Sequence, residues 1–202
     1  MLFSLINNLE KLKLILASGS PRRYELLKTL GLEFEVVVSQ VDETCDPLLS
    51  PEEQVLETAS RKGRAVSEKH PDCLVISADT IVVTDKKVLG KPENETDAYN
   101  MLSLLNGRTH KVYTGFGLSY QHYDAAEYDV ASTTVTFRQL TDEEIWAYIN
   151  TGEPFDKAGS YAVQGQGSLL IEKIDGCYFN VVGFPLARFY ILLDKFLSKF
   201  AL

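Results

Sequence analysis

The segment Leu14-Ile15-Leu16-Ala17-Ser18-Gly19-Ser20-Pro21-Arg22-Arg23 concentrates groups that bind anions. A short apolar run, read as a buried strand, stops at a small, hydroxyl-bearing turn. Ser20 suits an N-cap, and Pro21 suits the first helical position, where its missing N–H costs nothing. Leu26, Leu27 and Leu30 then recur at helical spacing until Gly31 supplies a stop. The helix start therefore gathers backbone N–H groups, the hydroxyls of Ser18 and Ser20, and the guanidinium groups of Arg22 and Arg23. A phosphate is the natural occupant of such a site. The same residues also describe an ordinary capped helix with two solvated arginines, so the reading depends on residues further along the chain. It is not a P-loop: neither Gly-x-x-x-x-Gly-Lys-Ser/Thr nor Gly-x-Gly-x-x-Gly occurs in the chain.

Several further polar residues sit where a purely structural pattern would not place them. Ser50-Pro51-Glu52-Glu53 opens a long helix to about Lys69, and its inward stripe is Val55, Ala59, Lys62 and Val66. Lys62 interrupts the apolar face, and an ammonium aimed inward needs an anionic partner unless its stem snorkels out. Asp79-Thr80 follows the apolar run Leu74–Ala78, and Glu43 lies beyond the run Phe34–Val38. Ligands gather beyond the carboxyl ends of strands in α/β sheets, so these two carboxylates are placed to share a divalent cation. Gly90-Lys91-Pro92 presents a lysine in a stiffened turn. The segment from Glu153 to Gly167 is too long and glycine-rich to be a minimal connection, and Gln164 within it could offer its amide to a base edge. His70, His110 and His122 show no ligand spacing. Cations that clamp a polyphosphate, with carboxylates that hold a metal and activate water, describe hydrolysis of a nucleotide.

The elements that must position these groups alternate between strand and helix. Leu12–Leu16 and Phe34–Val38 flank the first helix as a βαβ start, and Cys73–Ala78 is a third buried strand. Ile81–Thr84 and Val88–Leu89 form a hairpin about Asp85-Lys86-Lys87, before a helix over Asp97–Leu105. Lys111–Tyr120 and Tyr128–Phe137 read as a long antiparallel pair. Thr141-Asp142-Glu143-Glu144 caps a helix that ends at Gly152. Two strands joined by Asp175-Gly176 then form a hairpin, and a helix from Pro185 to about Lys199 closes the chain. The expected architecture is α/β, an elongated mixed sheet in two lobes around a central cleft.

The 202 residues suffice for one substantial core or two lobes sharing a sheet. A formal charge of −8 argues against nucleic-acid binding through a general basic field, whereas local cationic clusters favour a small, highly charged anion. Cys45, Cys73 and Cys177 are isolated and read as reduced thiols of a cytoplasmic protein. Met1–Lys13 lacks the pattern of a signal peptide, and no run approaches the ~20 apolar residues that span a bilayer.

Six motifs in order, Ser18-Gly19-Ser20-Pro21-Arg22-Arg23, Val41-Asp42-Glu43, Ala78-Asp79-Thr80, Gly90-Lys91-Pro92, Asp156-Lys157-Ala158-Gly159 and Gln164-Gly165-Gln166-Gly167, carry a resemblance. Over Leu14–Leu193 the chain resembles the Maf-like nucleoside triphosphate pyrophosphatases. That resemblance implies one domain over 1–202, with a fold similar to the inosine triphosphate pyrophosphatases. It also implies hydrolysis of a triphosphate to the monophosphate and pyrophosphate with a divalent cation, Mg²⁺ or Mn²⁺. The family's proton acceptor falls on Asp79, and its specificity positions on Arg22, Thr80 and Gln164. This combination looks like the subgroup acting on dTTP and UTP, so that non-standard or modified pyrimidine nucleotides would be kept out of nucleic acid. Ser18, Ser20, Arg22, Arg23, Lys62, Thr80, Lys91 and Gln164 are thus expected to bind substrate, and Glu43 and Asp79 the metal. The rival expectation is a nucleotide-binding regulator of cell division without turnover. No nucleic-acid or membrane partner is expected, and the oligomeric state stays open, a homodimer included.

Overall fold

The structure is a computed structural model that describes Ile6, residues 9–85 and residues 87–200. Most of the Met1–Lys13 extension and the central residue of the Asp85-Lys86-Lys87 turn lie outside the described residues. The strands are β1 (Lys13–Leu16), β2 (Glu35–Val36), β3 (Cys73–Thr84), β4 (Lys87–Leu89), β5 (Thr109–Tyr120), β6 (Ala125–Phe137) and β7 (Ile171–Asp175). The helices are α1 (Pro21–Thr29), α2 (Pro51–Ser67), α3 (Glu95–Leu105), α4 (Asp142–Ile149), α5 (Tyr178–Val182) and α6 (Leu186–Leu197). The strands form one mixed sheet in the order β2-β1-β3-β5-β6-β7, with β4 paired to β3. This is the α/β class with the mixed sheet expected from the alternation of elements.

The chain divides into two compact units. The first takes the described residues up to Asp79, Thr114–Ala131 and the residues from Gly183 onward. The second takes Thr80–Tyr113 and Ser132–Val182.

In the first unit β1 runs parallel to both β2 and β3, with Leu16 opposite Ile76 as the last pair between β1 and β3. Leu14, Ile15 and Leu16 are buried, as a central parallel strand covered on both faces requires. Ser20 caps α1 from its side-chain oxygen, and Ser50 closes a capping box with Glu53 at the start of α2. Val66 of α2 packs with Ile15, Ala17 and Val75. The apolar stripe of α6 buries Phe189, Leu192, Leu193 and Phe196, and Phe184 meets both Phe116 and Phe189 edge to face.

In the second unit β3 turns into β4 as an antiparallel hairpin with Val82 opposite Leu89, as its sequence predicts. Ala98, Leu102 and Leu105 of α3 share a core with Ile145, Tyr148 and Ile149 of α4 and with Phe137 and Tyr161. The glycine-rich segment is wound into short 3-10 turns over Glu153–Asp156, Ala158–Ser160 and Gly165–Leu170.

Three expectations need correction. Asp79 and Thr80 do not lie beyond a strand end: β3 continues through them to Thr84, and only its parallel partner β1 stops at Leu16. The second correction concerns Asp175-Gly176, which does not join two strands: the β-prone run after it folds as the one-turn helix α5. Tertiary bonding decides this. Asn180, buried at the middle of that run, donates to the Val112 carbonyl at 3.0 Å and to Thr133 Oγ1 at 3.0 Å, while Cys177 N also donates to Thr133 Oγ1. Finally, β2 is shorter than Phe34–Val38, since only Glu35 and Val36 pair with β1.

Candidate active site

The first unit collects oppositely charged side chains from four separate segments. Successive side chains of β3 alternate between faces, so Val75, Ser77 and Asp79 point the same way. That face lies against α2. Ser77 Oγ donates to the Ala59 carbonyl at 2.8 Å, and Asp79 Oδ1 accepts from Lys62 Nζ at 2.8 Å. Ala59 and Lys62 are three residues apart on the helix and therefore neighbours on its surface. The two-residue step along the strand thus matches one turn of the helix, which delivers the lysine to the aspartate.

Lys62 Nζ makes a second contact of 2.8 Å to Glu43 Oε1. The Lys62 side chain is 9% exposed and that of Asp79 14%, whereas Glu43 is 59% exposed. A buried ammonium between two carboxylates is the arrangement its desolvation demands. Glu43 belongs to a loop pinned from both sides. Asp42 Oδ1 accepts from the N–H and hydroxyl of Thr44 at 2.9 and 2.7 Å, and those bonds hold the Asp42 carboxyl below its ordinary pKa. Arg61, the residue before Lys62, donates to the Thr44 carbonyl at 2.9 Å.

At the start of α1, Ser20 Oγ accepts from Arg23 N, and Ser18 Oγ accepts from Ser20 N at 3.3 Å and from Arg23 Nη1 at 3.0 Å. Arg23 Nε donates to the Gly183 carbonyl at 2.9 Å. Arg23 is buried beneath the turn instead of solvated, and it braces Ser18 from below. Burial lowers its pKa, the Asp79 charge opposes that shift, Arg22 adds to it and Glu43 opposes it again. Three charged groups of this unit thus act on the Arg23 guanidinium. Arg22, the residue before it on α1, is half-buried.

The remaining expected residues belong to the second unit. Thr80 follows Asp79 on β3 and takes the opposite face. Lys91 is exposed, between Gly90 and the buried Pro92. The Gly90 carbonyl accepts from Gly159 N at 2.9 Å, so the motif around Lys91 is tied to Asp156-Lys157-Ala158-Gly159. Gln164 is exposed and extended, with φ −103° and ψ 169°.

Sequence reasoning does not single out Ser77, Arg61, Gly183, Tyr148 or Glu153. Asp42-x-Thr44 carries a readable signal, since an aspartate two residues before a threonine commonly closes a turn. The Gly183 carbonyl carries none, because any residue supplies one.

Two carboxylates that share one ammonium at 2.8 Å have those oxygens no further apart than twice that length. Among the described residues no group of three or more His, Cys, Asp or Glu assembles a protein cage. Mg²⁺ is commonly held by one or two carboxylates and completes its shell with water and phosphate oxygens, a donor type that Glu43 and Asp79 supply, and here Lys62 Nζ lies between them.

The open, mixed-sheet α/β class is shared with a known structure, the Staphylococcus aureus Ham1 protein. It superposes with a TM-score of 0.50 at 13% identity, over 93% of this chain and 98% of that one, a likeness of fold alone. Sequence comparison is sharper. The model for Maf-like proteins matches residues 13–196. A dTTP/UTP pyrophosphatase of Bacillus cereus is 49% identical over 184 residues, covering 91% of this chain and 90% of that protein. One of Caldicellulosiruptor bescii is 48% identical over 187 residues, covering 91% and 94%. The chain belongs to the Maf-like protein family. Among the described residues, no helix is long and apolar enough to cross a membrane.

Proposed function

We propose that this protein is a nucleoside triphosphate pyrophosphatase that hydrolyses dTTP and UTP to the monophosphate and pyrophosphate. The observation that carries the reading is Lys62, a buried ammonium 2.8 Å from both Glu43 and Asp79, in the unit that also holds Arg22, Arg23 and the Ser18–Ser20 turn. Relatives nearly half identical over 90% and 94% of their length bear the name dTTP/UTP pyrophosphatase, which supports the same substrates here. We read residues 1–202 as one pyrophosphatase domain, since the family match spans 13–196.

In this mechanism Arg22, Arg23, Lys62 and Lys91 neutralise the triphosphate. Ser18 and Ser20 shape the turn that receives it, and Arg23 acts chiefly by charge and by bracing Ser18. Asp79 orients the attacking water and takes its proton. The water oxygen bonds to the α-phosphorus, and the bond from that phosphorus to the bridging oxygen breaks. Pyrophosphate leaves with the electron pair. Lys62 stabilises charge as it develops on the phosphoryl oxygens while keeping the Asp79 carboxylate in place. Glu43 and Asp79 would hold a divalent cation, Mg²⁺ or Mn²⁺, which supplies Lewis-acid stabilisation of the phosphates. Thr80 and Gln164 contact the pyrimidine ring, and Arg22 contributes to substrate choice.

Pyrophosphate release measured across dTTP, UTP, CTP, ITP and 7-methyl-GTP, with and without Mg²⁺, tests the proposal. Turnover is expected with dTTP and UTP and is expected to cease with chelator. Binding of dTTP without pyrophosphate release would overturn it in favour of a regulatory protein.

A further inference from the structure

In the second unit, one carboxylate outside the proposed machinery organises the segment that carries Gln164. Glu153 is half-buried in the 3-10 turn after α4. Its Oε1 accepts from Tyr148 Oη at 3.1 Å and from Gly167 N at 3.3 Å, and its Oε2 accepts from Gln166 N at 3.1 Å. Tyr148 Oη in turn accepts from Ala162 N at 3.2 Å. One carboxylate and one phenol therefore gather three backbone N–H groups from the six-residue stretch, 162–167, that contains Gln164.

The glycines of this segment let it close on the carboxylate. Gly165 has φ +65°, and a Cβ there would lie 2.9 Å from Glu153 Oε2. A Cβ at Gly167 would meet the Ala162 carbonyl at 2.3 Å and Tyr148 Oη at 2.7 Å. At the far end, Arg138 Nε donates to the Leu169 carbonyl at 2.7 Å, while Glu144 holds the same guanidinium. Gln164 itself is exposed between these anchors, with no part in holding the turn.

We propose that Glu153 is a positioning residue: by binding the Gln166 and Gly167 amides it fixes the turn that presents Gln164, and so sets base selectivity without touching substrate. The inference rests on the base-contacting role proposed for Gln164. A carboxylate is the acceptor this task needs, because it offers two oxygens to donors on two sides.

Glu153→Gln is the decisive variant. Whichever way the amide turns, its NH₂ faces a backbone N–H, so one of the two amide contacts is lost. KM for dTTP is expected to rise about tenfold with kcat within about twofold, and the preference for dTTP over CTP in kcat/KM to fall in step, because a displaced Gln164 amide loses base binding in ground state and transition state alike. Protection of the Gln166 and Gly167 amides from hydrogen exchange should fall in parallel. Tyr148→Phe, which keeps the ring in the core, should move KM the same way by less. In a Gln164→Ala background, Glu153→Gln should change KM no further. An unchanged KM, or a rise that persists in the Gln164→Ala background, overturns the proposal. Wild-type protein that fails to hydrolyse dTTP sinks the pyrophosphatase reading instead, and amide protection then still decides whether Glu153 holds the turn.

Discussion

Lys62 Nζ lies 2.8 Å from Asp79 Oδ1, a contact between α2 and β3 across seventeen positions of sequence. The helix supplies the cation on its inward stripe, and the strand supplies the anion on the face that stripe covers. The ammonium keeps Glu43 as a second partner, whereas the mostly buried Asp79 carboxylate depends on Lys62, since an unpaired buried ion costs several kcal/mol. Removing one partner therefore tests structure and function together.

Lys62→Met should lower unfolding free energy by about 3 kcal/mol, because it leaves the mostly buried Asp79 carboxylate facing Glu43 without the ammonium that pairs both. Asp79→Asn keeps the shape and leaves Lys62 paired with Glu43, so it should fold while pyrophosphate release is abolished. Urea denaturation and a turnover assay separate the two effects. Full turnover by Asp79→Asn removes Asp79 from the mechanism.

Gly63 follows Lys62 on α2 at a point of close approach. A Cβ there would meet Tyr128 Oη at 2.4 Å, Ser77 Oγ at 2.7 Å and Ser119 Oγ at 2.8 Å. Gly63→Ala should destabilise by about 1–3 kcal/mol, as overpacking of a filled interior does, despite the better helix propensity of alanine. Because Ser77 shares the Asp79 face, kcat should fall as well. A thermal melt at or above the wild-type midpoint would contradict the crowding.

Arg23→Lys preserves charge and loses geometry. The guanidinium reaches the Gly183 carbonyl through Nε and Ser18 Oγ through Nη1 at once, which a single ammonium cannot reproduce. A loss of about 1–3 kcal/mol in stability is expected from the buried partner left unsatisfied, together with a raised KM for triphosphate. Equal stability in chemical denaturation would argue that Arg23 is not a brace.

His110 in β5 gives the protein an acid limit. It is buried, its Nε2 is 2.7 Å from Tyr161 Oη, and burial pushes its pKa down to about 4. An unfolded chain takes up the proton near pH 6.5 while the native state resists until about pH 4, so stability is full above the first value and falls as pH drops through that window. Between pH 7 and pH 5 this one group should cost about 2 kcal/mol. Denaturant titrations at the two pH values on wild-type and His110→Phe check the assignment, and the variant should lose most of that pH dependence.

The candidate site is legible in the sequence in part because its signals are local. Ser20-Pro21 caps and opens α1, and Lys62 breaks an apolar stripe whose period can be counted along α2. Six short motifs in order suffice to reveal the family. Asp79 stands out in the sequence for a reason the fold corrects, since β3 does not stop there; its partner β1 does. Asp175-Gly176 misleads in the same way, because a turn dipeptide states where a strand ends and not which element succeeds it.

What the sequence determined alone was what the backbone and its nearest neighbours decide: the caps, the helical stripes, the buried parallel strands and the inventory of charges. Tertiary structure alone decided which charge meets which. It paired Lys62 with both Glu43 and Asp79, turned Arg23 inward to the Gly183 carbonyl, and set Glu153 against the Gln166 and Gly167 amides. Local propensity depends on residues a few positions apart. Ion pairs and backbone acceptors depend on distance in space, which the order of residues does not contain until the sheet has formed.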